Sequence, residues 1–143
     1  MNLLKIYPIL FLLILVSCKL NYTSLSRLPK KQIAIGSYGG FTGMNVNYIY
    51  LKNGQVYKSE TLPGSTSKLS FHKQIPKKQV IQMFRAVKRI DFTQKAFAEP
   101  GNINTYINYK RRLLNDHYYQ WDGVLDSTNQ NFKAITNLMQ WHN

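Results

Sequence analysis

The groups in this 143-residue chain that could do chemistry are few: three histidines, six carboxylates, one thiol and one glycine-rich stretch. His72, His117 and His142 share no metal-ligand spacing such as H-x-x-x-H. Asp116 precedes His117 at the start of a candidate strand, where neighbouring side chains point to opposite faces, so the two form no local dyad. Glu99, beside Pro100, reads as a loop acid that pairs with surplus lysines rather than as a general base. No G-x-S-x-G nucleophile motif is present. A Ser-His-Asp set assembled from distant positions stays open, because triads are defined by geometry. Few acids and scattered histidines together argue for a protein that is not an enzyme, with no catalytic residue, no metal site and no cofactor.

The glycine-rich stretch is "GSYGGFTGMN", with glycines at 36, 39, 40 and 43. A dinucleotide fingerprint needs G-x-G-x-x-G between a strand and a helix, and a P-loop needs G-x-x-x-x-G-K-[ST]. Neither spacing occurs, and the segment that follows alternates like a strand. The stretch therefore reads as a β–β connection whose glycines take positive φ and let the chain bulge. Gly39, Gly40, Phe41, Thr42 and Gly43 form a candidate binding loop. Phe41 at its tip is either tucked into the core or exposed as an anchor. Core burial is the expectation, since large aromatics usually bury.

The single thiol, Cys18, lies at the end of "MNLLKIYPILFLLILVSC". A start carrying Lys5, an apolar run from Ile6 to Val16 and a small residue before the cysteine describe a secretory signal peptide over residues 1–17. Spanning a bilayer takes about 20 apolar residues, more than this run supplies. Leu15-Val16-Ser17-Cys18 resembles the bacterial lipobox. The resemblance implies that Cys18 is lipidated on sulfur, becomes the mature N-terminus and is acylated on its amine. Each buried acyl methylene contributes about 0.8 kcal/mol, so two or three chains hold firmly. Lys19 follows the cysteine and no acidic run does, which leads to the expectation of an outer-membrane anchor facing the periplasm.

The formal net charge is +13. A basic chain ordinarily raises nucleic acid as a partner, but export argues against it. The positive charges are scattered, and Lys77, Lys78, Lys110, Arg111 and Arg112 make up a candidate basic surface. Such a surface either docks on anionic lipid or lipopolysaccharide phosphates or is simply a solvated face.

These residues need elements to position them. Residues 18–31 are polar after the cysteine and lack period, so they read as a tether, and residues 32–143 as one domain. Ile33 and Ile35 begin a strand, and Val46, Tyr48 and Tyr50 a second. Asn53-Gly54 suggests a type I′ hairpin turn into Gln55–Lys58. Pro63-Gly64 favours a type II turn, and Leu69 with Phe71 marks one more short strand. Pro76 opens a helix whose apolar stripe is Val80, Met83, Phe84, Val87 and Ile90. Pro100-Gly101-Asn102 is a turn into a hairpin of Thr105–Tyr109 and His117–Trp121. Asp126-Ser127-Thr128 offers caps for a last helix with Phe132, Ile135, Leu138, Met139 and His142 on one stripe. The order implies an α+β domain, an antiparallel sheet of four to five strands with two helices packed on one face.

"GSYGGFTGMN", "LKNGQVYK", "FAEPGNINTYINYK" and "FKAITNLMQW" resemble small lipoproteins of the Bacteroidetes group that carry a GGFTG loop. The chain departs from their pattern at Trp121-Asp122-Gly123. The loop is more distantly similar to the G-G-F-x-G segment of emfourin-type inhibitors of thermolysin-like metalloproteases. That similarity implies a module that presents residues 39–43 to an envelope protease. The sequence therefore leaves two readings: a lipid-anchored, non-catalytic binding module, or an accessory envelope lipoprotein whose basic surface meets anionic lipid.

Overall fold

The computed structural model describes residues 21–93, 103–111, 116–123 and 125–142. The signal peptide, Cys18, Glu99, the Pro100-Gly101-Asn102 turn and Arg112 lie outside the described residues. Strands β1 (Gln32–Gly39), β2 (Asn45–Leu51), β3 (Gln55–Thr61) and β4 (Lys68–Gln74) precede helix α1 (Lys77–Val87). Strands β5 (Ile103–Lys110) and β6 (His117–Asp122) then lead to helix α2 (Phe132–Met139). The strands form one antiparallel sheet in the order β4-β3-β2-β1-β5-β6, so the α+β class holds with six strands instead of four to five. The short strand marked by Leu69 and Phe71 is β4, which runs longer than expected, from Lys68 to Gln74, and lies mostly exposed at the sheet edge.

Side-chain alternation divides the strands between two faces. Ile33, Ile35, Tyr50, Val56, Ile107, Tyr109, Tyr119 and Trp121 face the helices and pack with Val80, Met83, Phe84 and Val87 of α1 and Ile135 and Leu138 of α2. Ala34, Ile49, Leu51 and Tyr57 point the other way and bury Leu28, with Tyr22 packed against them. The backbone N–H of Tyr22 donates to the Tyr57 hydroxyl at 3.1 Å, and the two rings meet edge to face. The stretch read as a tether is thus packed on the sheet through Tyr22 and Leu28, because the second sheet face is apolar at β2–β3 and needs a cover.

Two local expectations are corrected. Among the described residues no non-glycine has positive φ, so Asn53-Gly54 is not a type I′ turn. Gly54 N–H donates to Leu51 C=O at 3.0 Å and Gly54 has φ 89°, which is a type I turn followed by a left-handed glycine. Asp126-Ser127-Thr128 does not cap α2. The Asp126 carboxylate instead accepts from Thr128 N–H at 2.9 Å, a local turn, and the helix begins after Asn131. The Pro63-Gly64 turn has the expected form, with Ser65 N–H to Leu62 C=O at 3.0 Å and Gly64 at φ 74°.

Candidate functional site

The register places the two candidate surfaces at opposite ends of β1. Gln32 pairs with Leu51 and Lys110, whereas Tyr38 pairs with Asn45 and Asn104. At about 3.3 Å per residue, the eight residues of β1 separate these ends by roughly 23 Å.

At the far end, Gly39, Gly40 and Gly43 take φ of 106°, 66° and 60°. Gly43 N–H donates to Gly40 C=O at 3.3 Å, a turn that carries Phe41 and Thr42 at its centre, and Thr42 Oγ1 accepts from Met44 N–H at 3.4 Å. Phe41 is fully exposed. Its expected burial is corrected: the turn projects past the last β1–β2 pair, Tyr38 with Asn45, so Phe41 does not pack into either core cluster. Exposed Ile103 lies beside Gly40, and Pro63 lies against Gly43. With Met44 and Leu62 also exposed, the loop becomes the crest of an apolar tip. Sequence reasoning missed Leu62, Pro63 and Ile103. The meander order of β1 to β4 carries the signal for Leu62 and Pro63, since it returns the β3–β4 turn to the same end as the β1–β2 loop, whereas Ile103 arrives through its pairing with Gly39.

At the near end, a groove of about 320 Å³ opens between α1 and the sheet, lined by Lys31, Lys52, Lys77, Val80, Ile81, Phe84, Arg85 and Lys88. Of the basic residues singled out by sequence, Lys77 lines this groove. Lys78 is exposed at the start of α1 without lining it. Lys110 pairs with Asp116 at 3.3 Å, and the Arg111 guanidinium lies 5.3 Å from the centre of the Tyr109 ring.

The histidines are separated differently from their sequence spacing. The rings of His72 and His142 each stand edge to face with Tyr48 at 5.0 Å, and His142 Nδ1 lies 2.6 Å from the Tyr50 hydroxyl. Burial lowers the pKa of His142, and the positive charges of Lys73 and His72 push it the same way. Burial, with Tyr48 beside it, raises that of Tyr50, so the hydroxyl stays protonated and shares a hydrogen bond with the imidazole whose direction is set by the His142 tautomer. His117 packs with Phe92 and Tyr109, while its neighbour Asp116 turns to Lys110. Among the described residues no group of three or more His, Cys, Asp or Glu is placed to hold a metal ion, and no helix is long and apolar enough to cross a membrane.

No family model matches this chain, and no curated protein matches it significantly.

Proposed function

We propose that the protein is a membrane-anchored bacterial lipoprotein whose domain, facing the periplasm from the outer membrane, is a non-catalytic binding module that presents the Phe41 loop to a protein partner. The observation that carries this reading is Phe41 itself, fully exposed on a glycine-shaped turn at the end of the sheet remote from the chain's entry at Gln32. A large aromatic held in water by an ordered scaffold has no role in the fold. It suits an anchor that fills a partner's pocket. Met44, Leu62, Pro63 and Ile103 supply an apolar surround that would exclude water around such a contact. The resemblance of the loop to emfourin-type inhibitors supports an envelope metalloprotease as that partner.

The test is a peptide-cleavage assay with thermolysin-like metalloproteases and the wild-type protein. Wild type slows cleavage, and Phe41→Ala weakens inhibition by about 2 kcal/mol, roughly thirtyfold. Equal potency of the two proteins overturns the role of Phe41, and no inhibition by wild type overturns the protease as partner. The second reading, an accessory lipoprotein docked on anionic lipid, is favoured by a different observation, the cation-lined groove at the opposite end.

A further inference from the structure

Three separate parts of the chain deliver cations to the near-end groove: Lys31 ahead of β1, Lys52 in the β2–β3 turn, and Lys77 and Arg85 of α1 with Lys88 at its C-terminal end. Among the described residues no carboxylate lines the groove, and the ion pairs Lys58–Glu60 and Lys110–Asp116 use none of the five. Like charges gathered without acids repel one another and disfavour the folded state. Their convergence is therefore unexplained by packing.

The floor between these cations is apolar. Val80 and Phe84 belong to the core, but Ile81 is 43% exposed on the same helix, among Lys77, Lys78, Arg85 and Lys88. A free phosphate or a purely polar polyanion has no use for that floor. A phospholipid does, since its phosphate meets the cations while its glycerol and first methylenes cover the apolar strip.

Position supplies the third argument. Lys31 adjoins β1, and Lys52 sits beside Leu51, the residue paired with Gln32, so both stand at the end of the sheet where the chain enters. Tyr22 is clamped to Tyr57, close to the same end. Three residues lie between Cys18 and Tyr22, four residue steps that span at most about 14 Å when fully extended. An acylated Cys18 thus keeps this end of the sheet close to the head-group layer, where each cation adds to the attraction.

We infer that the groove formed by Lys31, Lys52, Lys77, Arg85 and Lys88 is a docking site for the head groups of anionic phospholipids in the membrane that carries the anchor. The inference rests on the lipoprotein reading for the nearness of that membrane. It sets the domain's orientation: groove toward the bilayer, Phe41 loop away from it.

The experiment uses the full lipidated chain in vesicles of phosphatidylcholine alone or mixed with phosphatidylglycerol, each containing a photoactivatable phospholipid. The labelled peptides are mapped by mass spectrometry. Label is expected on Ile81 to Lys88 and Lys31 in the phosphatidylglycerol vesicles. Since each cation near an anionic surface is worth about a fivefold gain in partition, the Lys52→Gln/Lys77→Gln pair should lower groove label about twenty-five-fold. Lys133→Gln on α2 should leave it unchanged. Equal label in both vesicle types, or label that survives the paired substitution, overturns the site. Label abolished by inorganic phosphate at constant ionic strength shows a soluble phosphate as the occupant and likewise overturns membrane docking. The mass of the Cys18 peptide in the same digest separates the two readings. An acylated Cys18 with an unlabelled groove removes the docking site and keeps the anchor. A labelled groove on an unacylated chain removes the anchor and keeps the docking site.

Discussion

The side chain of Asn131 closes both of its hydrogen bonds on the backbone of Asp91. Its Oδ1 accepts from Asp91 N–H at 2.7 Å, and its Nδ2 donates to Asp91 C=O at 2.9 Å. Asn131 is buried at the entrance to α2, and Asp91 follows the exit of α1, so one amide ties the two helices at their junction. Asn131→Ala leaves both backbone groups without these partners and should cost about 1–3 kcal/mol. Asn131→Asp keeps an acceptor but loses the donor and should also destabilise. Chemical denaturation of the two variants beside wild type checks both, and wild-type stability in Asn131→Ala would show that the tie is dispensable.

Phe41 and Gly40 are neighbours with opposite expected effects. Phe41→Ala removes a side chain that the fold does not contain, so melting should change by no more than about 0.5 kcal/mol. Gly40→Ala places a Cβ on a residue at φ 66° and should cost about 1–2 kcal/mol. Thermal scans on the two variants read the difference. A Phe41→Ala protein that melts well below wild type would return the ring to the core.

Gly36 is required for a reason other than positive φ. A Cβ there would stand 2.5 Å from the Val46 carbonyl oxygen and 2.9 Å from Tyr106 Cζ. The ring can move, but the carbonyl belongs to β2, paired with β1, so Gly36→Ala forces the two strands apart. A loss of about 1–3 kcal/mol is expected, as for other overpacked sites. An unfolding midpoint equal to wild type would show that the strand shifts freely.

Stability should fall on acidification through His142. Its folded pKa lies below the ordinary 6.5, chiefly through burial and then through Lys73 and His72. The unfolded chain therefore binds the proton first. This contribution is present above pH 6.5 and is lost as pH falls toward and through the folded value. His142→Gln should flatten that part of the melting-temperature profile. The carboxylates of Asp91 and Asp126, held below 3.8 by hydrogen bonds from Thr93 and Thr128, act in a lower window. Identical profiles for wild type and His142→Gln between neutrality and pH 5 would exclude the histidine as the cause.

Local pattern was enough for the elements themselves. The period of Val80, Met83, Phe84 and Val87 is a property of neighbours along one helix, and the alternation of Ile33, Ile35 and of Tyr48, Tyr50 a property of single strands, so both could be read without a partner. The turn glycines were legible for the same reason, although Gly54 alone, and not Asn53, has positive φ. Burial of Phe41 could not be read, because it depends on how far the loop projects beyond the last strand pair and on what lies there. The docking of Tyr22 on Tyr57 was equally hidden, since the contact joins residues 35 positions apart. The basic groove shows the division most plainly. Sequence offered adjacent pairs such as Lys77-Lys78 as a surface, yet the fold keeps Lys77 for the groove and joins it to Lys31, Lys52, Arg85 and Lys88. Charge type and number are written in the chain, but which charges share one field is set by strand register and helix packing, and these are decided by contacts between distant segments.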